Sequence, residues 1–505
     1  MARSSRTTAL LALLYALALI ASINGSSLWA DEAFSAWLAC HHTLAGFWTS
    51  LIHGDSSDLQ MGLYYFYLFG WVHLFGSSEY ALRAANIPFI FLFASSLVCA
   101  SIRIFHSRFV WIVPALLPFV WHYAGEARPY MAILAFGTAA LAALLGFIED
   151  PKAQFPWFCL SAIFLGSCFH MLFLLAVPPL VLIAYLSRHT ASRHTAWKAW
   201  LPAAKVFALP FIALAAYFAF TFARGTAYDY PQPGLRQMVS VLYDLSGLGG
   251  FGPNRKFSLD FRAYIVPLAI GGSLLALGLF LAGLSLRKAA LSKTALGAAA
   301  LLAAFEVVIL TAVTGKQIDV RHLAAVIPLF LFLILGARAR PTRTAVASLV
   351  LLGAAWLIAD TRLAMLPEYQ KEDYRDAVSA VLSIQKNTGA MIAIAADPVG
   401  AAYYGMEIEG AAPCYPIRQD CRQAFEMVPW GAASPAHAPA AVEADRWPSS
   451  SIDAWLAALH NHHTPVLVFA QRDRAHARSA WWRVIAADKE DLVTHIHGFD
   501  LDLLK

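Results

Sequence analysis

The chain has 505 residues, 59% of them hydrophobic and 14% charged. Soluble domains are roughly a quarter charged, so the composition excludes a purely soluble protein and points to an integral membrane protein with several spans. The formal net charge of +5 calls for no nucleic-acid partner, because the basic residues fall in short loops between apolar segments.

The chain begins with Arg3 and Arg6 ahead of an apolar run at 7–25. This pattern fits a cleaved signal peptide or an uncleaved first span, and the many later spans favour the anchor. Further stretches near the roughly 20 residues a span needs lie at 80–102, 108–124, 129–148, 155–171, 172–187, 198–223, 263–286, 294–314, 320–337 and 343–360. The run 155–187 is too long for one helix and is divided at Phe169-His170. The total is about 11 transmembrane helices. With the N-terminus inside, Arg3 and Arg6, Arg103 and Arg108, Arg188 to Lys198, Arg287 to Lys293 and Arg338 to Arg343 all fall on the cytoplasmic side, as the positive-inside rule requires. The loops 26–79, 124–128, 224–262 and 315–321 then lie outside, as does the C-terminal tail.

One apolar stretch is excluded from the spans. "GLYYFYLFGWVHLF", Gly62 to Phe75, is short and rich in Tyr and Trp, the composition of a membrane interface. It is expected to lie along the outer surface as a juxtamembrane helix. Reading it as a span would invert every later loop.

Beyond Asp360 the composition changes. "PEYQKEDYRDAVSAVLSIQKNT" reads as a linker and an amphipathic helix, "GAMIAIAA" and "TPVLVFA" as buried strands, and "SIDAWLAALH" as a helix between them. Residues 1–360 are therefore expected to form a membrane module, and 361–505 a soluble α/β domain on the outer side. Cys414 and Cys421 lie in a Pro-containing loop of that domain, in a compartment that permits disulfides. The other four cysteines read as small hydrophobes, and no Cys/His spacing of the metal-binding type occurs.

The polar groups on the outer side are the candidates for chemistry. In "SSLWADEAFSAWLACHH" the carboxylates Asp31 and Glu32 are adjacent in a helical pattern. Adjacent helical side chains point about 100° apart, so the two do not face one another. Either they cap and favour a helix N-terminus, or one of them aims into a cavity. Phe34, Trp37 and Leu38 form an apolar face that fits the bilayer edge. Asp55 and Asp58 precede the interfacial helix and read alone as a solvated loop. Glu126 and Arg128 stand at the mouth between two spans, where an Arg either pairs locally or holds a phosphate. Lys316, Asp319, Arg321 and His322 crowd one short outer loop, against the positive-inside trend, and so call for an anionic partner. His170, at the turn inside 155–187, reads more readily as a hydrogen-bonded structural residue than as a ligand. Glu306 lies within a span, where an ionisable residue is a functional candidate by default.

Taken together, these stretches resemble the GT-C superfamily of membrane glycosyltransferases, in the branch of protein O-mannosyltransferases and the lipid A aminoarabinose transferase. An acidic "DE" after the first span matches Asp31-Glu32. A "D-x-H-P-P-L-Y-Y"-like stretch is seen as "DLQMGLYY", keeping Asp58, Leu63, Tyr64 and Tyr65 but carrying Gln60, Met61 and Gly62 in place of the His and both Pro. "FG-x-x-E-x-x-x-R" is seen at Phe75, Gly76, Glu79 and Arg83, "E-A-R-P-Y" at Glu126 to Tyr130, a middle-span His at His170, and an Arg ahead of a Pro-containing late span at Arg321 and Pro328. The resemblance covers roughly residues 1–360 and rests on the order of the motifs, not on any one of them.

The resemblance implies transfer of a sugar from a polyprenyl-phosphate donor to an acceptor on the outer face of the plasma (inner) membrane, with inversion. Asp31 is implied as the base and Glu32 as a supporting acid. Arg321, Lys316 and Arg128 are implied as the clamp on the phosphate, with Asp58, Glu126, His170 and Tyr64 as further site residues. Some relatives hold a divalent metal near such acidic and His positions; no metal ligand is assigned here. The acceptor is left open between a lipid, a glycan and a protein. Two rival readings are a transporter or lipid flippase, which places its ionisable residues near the bilayer midplane, and a non-catalytic scaffold.

Overall fold

A computed structural model describes residues 2–53, 59–107, 109–150, 152, 154–187, 196–223, 241, 243–251, 270–274, 277–278, 297–303, 320–335, 343–366, 371–395, 398–406, 441–443, 466–471, 492–496 and 499–504. Among these residues the chain is mostly helical. Four helices are long and apolar enough to cross a membrane: Glu79–Ile104, Tyr130–Glu149, Trp200–Thr221 and Arg343–Met365. Arg6–Ile20, Gln154–Phe169 and Met171–Ser187 are shorter apolar helices. Tyr130–Glu149 is the most enclosed of the long helices and packs against Gln154–Phe169 and Ile87–Cys99.

The long apolar run 155–187 breaks at the dipeptide where it was divided. The helix Gln154–Phe169 ends, and His170 takes an extended backbone with its Nδ1 accepting from the Leu172 N–H at 3.1 Å. The imidazole thus satisfies a donor that the new helical start exposes. The stretch 108–124, expected as one span, is instead two short helices, Ile112–Ala115 and Pro118–Ala124. Pro118 disfavours the α conformation in the residue before it, and Leu117 sits at ψ 121°. The Ala115 carbonyl freed by this break accepts from the Tyr15 hydroxyl at 3.2 Å and from Trp121 Nε1 at 2.8 Å. The stretch 320–337 likewise divides into a 3₁₀ turn, Val320–Leu323, and a helix, Ile327–Leu335. Most of 263–286 and 294–314, including Glu306, lies outside the described residues.

Between the first apolar helix and Glu79–Ile104 the described residues include the short helices Ala30–Ala39, Leu44–His53 and Gly62–Phe75. The apolar face of Ala30–Ala39 does not meet the bilayer edge: Trp37 and Leu38 are buried inside the protein, where the helix packs on Gly62–Phe75 and on Pro398–Tyr403.

After the last long helix the chain forms a five-stranded mixed sheet in the order β2-β1-β3-β5-β4. The strands are β1 Met391–Ala395, β2 Ala441–Glu443, β3 Val466–Gln471, β4 Leu492–Ile496 and β5 Phe499–Leu504. The two stretches read as buried strands contain β1 and β3, which pair in parallel with Ile392 opposite Leu467. Leu467, Phe469, Phe499 and Leu501 are buried. The helix Tyr374–Thr388 begins at Asp373, whose side chain accepts from the Asp376 N–H, and ends at Gly389 in the left-handed region that favours glycine. Tyr374 packs its ring on Phe499 at 4.7 Å. A Cβ on Gly400 would come within 2.6 Å of that ring, so glycine allows Pro398–Tyr403 to lie against Tyr374. Packing therefore runs without interruption from the sheet to the helix that carries Asp31. The expected helix 451–460, Cys414 and Cys421 lie outside the described residues.

Candidate active site

Asp31 lies in the first turn of Ala30–Ala39. The N-cap is Trp29, and no side chain caps that end, so Asp31 is not a capping residue. Its carboxylate instead accepts from Arg321 Nη1 at 2.5 Å, and Arg128 Nη2 stands 4.0 Å from the same oxygen, Oδ2. Arg321 comes from the 3₁₀ turn Val320–Leu323, far along the sequence. Arg128 is fixed by donating from Nη1 to the Asp31 carbonyl at 3.2 Å, Ser35 Oγ at 3.1 Å and the Tyr65 hydroxyl at 3.0 Å. Burial pushes the Asp31 carboxyl up, but Arg321, Arg128 and Lys371 outweigh it and hold the group below its ordinary value. Asp31 is therefore ionised at neutral pH.

Glu32 points away, as the helix geometry requires, and is sealed from solvent. Arg83 Nε and Nη2 donate to its two oxygens at 3.0 and 2.8 Å, and the Ala127 N–H donates to Oε1 at 2.7 Å. Burial raises this carboxyl too, but the Arg83 charge and hydrogen bonds bring it below its ordinary value. Arg83 also donates from Nη1 to the carbonyls of Asn24 and Ser26 at 3.0 and 2.8 Å, and from Nη2 to that of Ser27 at 3.1 Å. It ties the loop before Asp31 to the helix that bears it.

Glu126 is buried as well. Its Oε1 accepts from Trp29 Nε1 at 3.0 Å and faces Lys371 Nζ at 3.1 Å, while Oε2 lies 3.7 Å from His122 Nε2. Tyr64 is fully buried, with its ring against Tyr65 and Phe169, and its hydroxyl makes no hydrogen bond among the described residues. His170 is buried next to Tyr130, with the ring centroids 6.2 Å apart. The structure thus brings Asp31, Arg128 and Arg321 together, with Glu32 and Glu126 each paired to a cation of its own. Asp58 and Lys316 lie outside the described residues, as do Asp55 and Asp319.

The described residues at the site do not assemble a set of metal ligands. Among the described residues no group of three His, Cys, Asp or Glu side chains converges. The reachable carboxylate, Asp31, already faces two guanidinium groups, whose field opposes a further cation.

Contributors not assigned from the sequence include Lys371, Trp29, Tyr65 and Arg83. Trp29 stands two residues before Asp31, but an indole beside a membrane reads as an interface anchor. Lys371 comes from the linker after the last long helix, where nothing in local spacing points back to the first loop.

No family model matches the chain, and no curated relative matches it. Among solved structures, that of ArnT from Cupriavidus metallidurans bound to undecaprenyl phosphate aligns with a TM-score of 0.55 at 13% identity, over 98% of this chain and 97% of that one. The same protein in the apo state aligns over the same shares at 14% identity with a TM-score of 0.44. At this identity the likeness speaks for architecture, and it extends past residue 360 to nearly the whole length. The likeness that the order of the motifs suggested is matched at the level of the fold: the chain shares the fold of ArnT.

Proposed function

We propose that this protein is a membrane glycosyltransferase that moves a sugar from a polyprenyl-phosphate carrier to an acceptor at the outer, periplasmic face. The observation that carries this reading is the Asp31 carboxylate held against Arg321 and Arg128. It is supported by a shared fold with ArnT, whose structure was determined with undecaprenyl phosphate. Nucleotide sugars stay in the cytoplasm, so an outward-facing site needs a donor carried by the membrane.

In this reading the acceptor hydroxyl gives its proton to Asp31 as its oxygen attacks the anomeric carbon. The bond from that carbon to the phosphate oxygen breaks, and its electron pair leaves with the phosphate. Arg321, joined by Lys316, takes up the developing charge, and Arg128 adds its field from beneath. Attack from the face opposite the phosphate inverts the anomeric centre. Asp31 and the phosphate compete for Arg321, so donor binding frees the Asp31 carboxylate to take the acceptor's proton. Glu32, locked onto Arg83, positions the helix and does not exchange protons with substrate.

Arg321→Ala should weaken binding of undecaprenyl phosphate by roughly 10- to 100-fold, the scale of about 1.5–3 kcal/mol for a hydrogen bond to a charged group. Arg321→Lys should recover only part of it, because Lys lacks the planar fork. Titrating the lipid into purified full-length protein checks this, and equal affinities in both variants and wild type would remove Arg321 from the phosphate site.

Orientation has its own test. A reporter active only in the cytoplasm, fused after Lys505, should be silent, because the basic loops put the C-terminus outside. Strong reporter activity would reverse the proposed periplasmic placement.

A further inference from the structure

The charged groups at the site divide into two layers by exposure. The side chains of Arg83, Glu32, Glu126 and Arg128 are 3%, 1%, 2% and 8% exposed, whereas Asp31, Arg321 and Lys371 are 32%, 25% and 28% exposed. A sealed inner set thus underlies three groups that a substrate can reach: the proposed base, one arginine of the clamp, and a lysine from the C-terminal segment.

Lys371 is brought there by built contacts. Just after it, the Arg375 N–H donates to Ser27 Oγ at 3.2 Å, and Arg375 Nη2 donates to the Gly25 carbonyl at 2.7 Å and pairs with Glu79. The Tyr404 hydroxyl accepts from the Leu28 N–H at 2.7 Å, and the Tyr403 hydroxyl donates to the Ser77 carbonyl at 2.6 Å. These contacts hold the C-terminal segment on the loop from which the Asp31 helix starts. Lys371 Nζ lies 4.5 Å from the centroid of the Trp29 ring, and Arg321 Cζ lies 5.6 Å from the same centroid. One indole therefore positions both Arg321 and Lys371.

Lys371 can change partners while Glu126 keeps one hydrogen bond. If its ammonium left Glu126, that carboxylate would keep the Trp29 indole N–H at 3.0 Å and His122 nearby at 3.7 Å. A lysine is a point charge on a flexible four-carbon stem, suited to such an exchange, unlike the forked and fully bonded Arg83.

We propose that Lys371 is a donor-binding residue. Its ammonium, held on Glu126 in the structure, donates to the phosphate of the lipid-linked sugar beside Arg321, so the C-terminal segment completes the active site. This rests on the polyprenyl-phosphate reading above.

The test is binding of undecaprenyl phosphate to the full-length protein in detergent, with thermal stability measured on the same samples, for wild type, Lys371→Ala, Lys371→Arg and Glu126→Gln. Lys371→Ala should bind about tenfold or more weakly, the scale of one charge-assisted contact. Lys371→Arg should restore most of that affinity. Glu126→Gln should bind at least as tightly as wild type, because it releases Lys371 toward the phosphate. If Lys371 only neutralises Glu126, Lys371→Ala loses stability but keeps wild-type affinity, and that result overturns the proposal. Should Lys371→Ala fail to fold, Lys371→Met in the Glu126→Gln background removes both charges together and is compared with Glu126→Gln alone; equal affinity there overturns it too. A wild-type protein that does not bind undecaprenyl phosphate would instead defeat the polyprenyl-phosphate reading and this proposal with it.

Discussion

Asp31→Asn should fold, bind undecaprenyl phosphate and transfer sugar at least about a hundredfold more slowly. Asparagine keeps the shape of aspartate, and its carbonyl still accepts from Arg321. It has lost the ability to take a proton from an acceptor hydroxyl. Removing a positioned base costs about 10²–10⁴ in rate, or roughly 3–5 kcal/mol of barrier. The cost to stability should be small, because the Asp31 side chain is 32% exposed and pairs of that kind contribute about 1 kcal/mol or less. Rate and stability should therefore separate. Turnover and thermal unfolding measured on one preparation check this. Near-normal turnover, or a loss of activity that tracks a loss of fold, would make Asp31 a structural residue.

Arg83→Ala should be the most destabilising single change at the site. It leaves Glu32 charged, buried and facing only the Ala127 N–H, and stranding one partner of a buried pair costs about 3–5 kcal/mol. It also removes the donors to the carbonyls of Asn24, Ser26 and Ser27, which release the loop ahead of Asp31. Glu32→Gln should cost less, since the amide oxygen still accepts from Arg83 and from the backbone. The double change Arg83→Ala with Glu32→Gln should cost less than the two single changes added, because removing both partners leaves no charge facing an empty place. Thermal unfolding of the four proteins measures this cycle. If Arg83→Ala is as stable as wild type, the Asp31 helix is held by other contacts.

What the sequence disclosed at this site follows from the range over which each interaction acts. The adjacency of Asp31 and Glu32, the helix under them and the divergence of their side chains are local facts, and all three are met. Which of the two faces a reachable cavity was not legible. It depends on Arg83 taking Glu32 and on Arg321 reaching Asp31 from 290 positions away. Hydropathy found Tyr130–Glu149 and Arg343–Met365, but it averages over a window and passed over Pro114 and Pro118, whose backbone effects divide 108–124. It also placed Trp37 and Leu38 at the bilayer, because apolar surface that meets lipid and apolar surface that meets protein have the same composition. The division at Phe169-His170 was legible from length alone. Lys371 was hidden for the opposite reason: its meaning arises only when the segment after the last long helix folds back on the first loop.

The most direct test of the account is cleavage of the bond between sugar and phosphate. Purified full-length protein is incubated with undecaprenyl-phosphate-linked sugars labelled in the sugar, and release of free undecaprenyl phosphate is followed alongside the same reaction with Asp31→Asn. The account predicts release with at least one donor by the wild type, and release slowed at least about a hundredfold in the variant. Wild-type protein that binds undecaprenyl phosphate yet cleaves none of the donors, or an Asp31→Asn protein that cleaves as fast as the wild type, would contradict it.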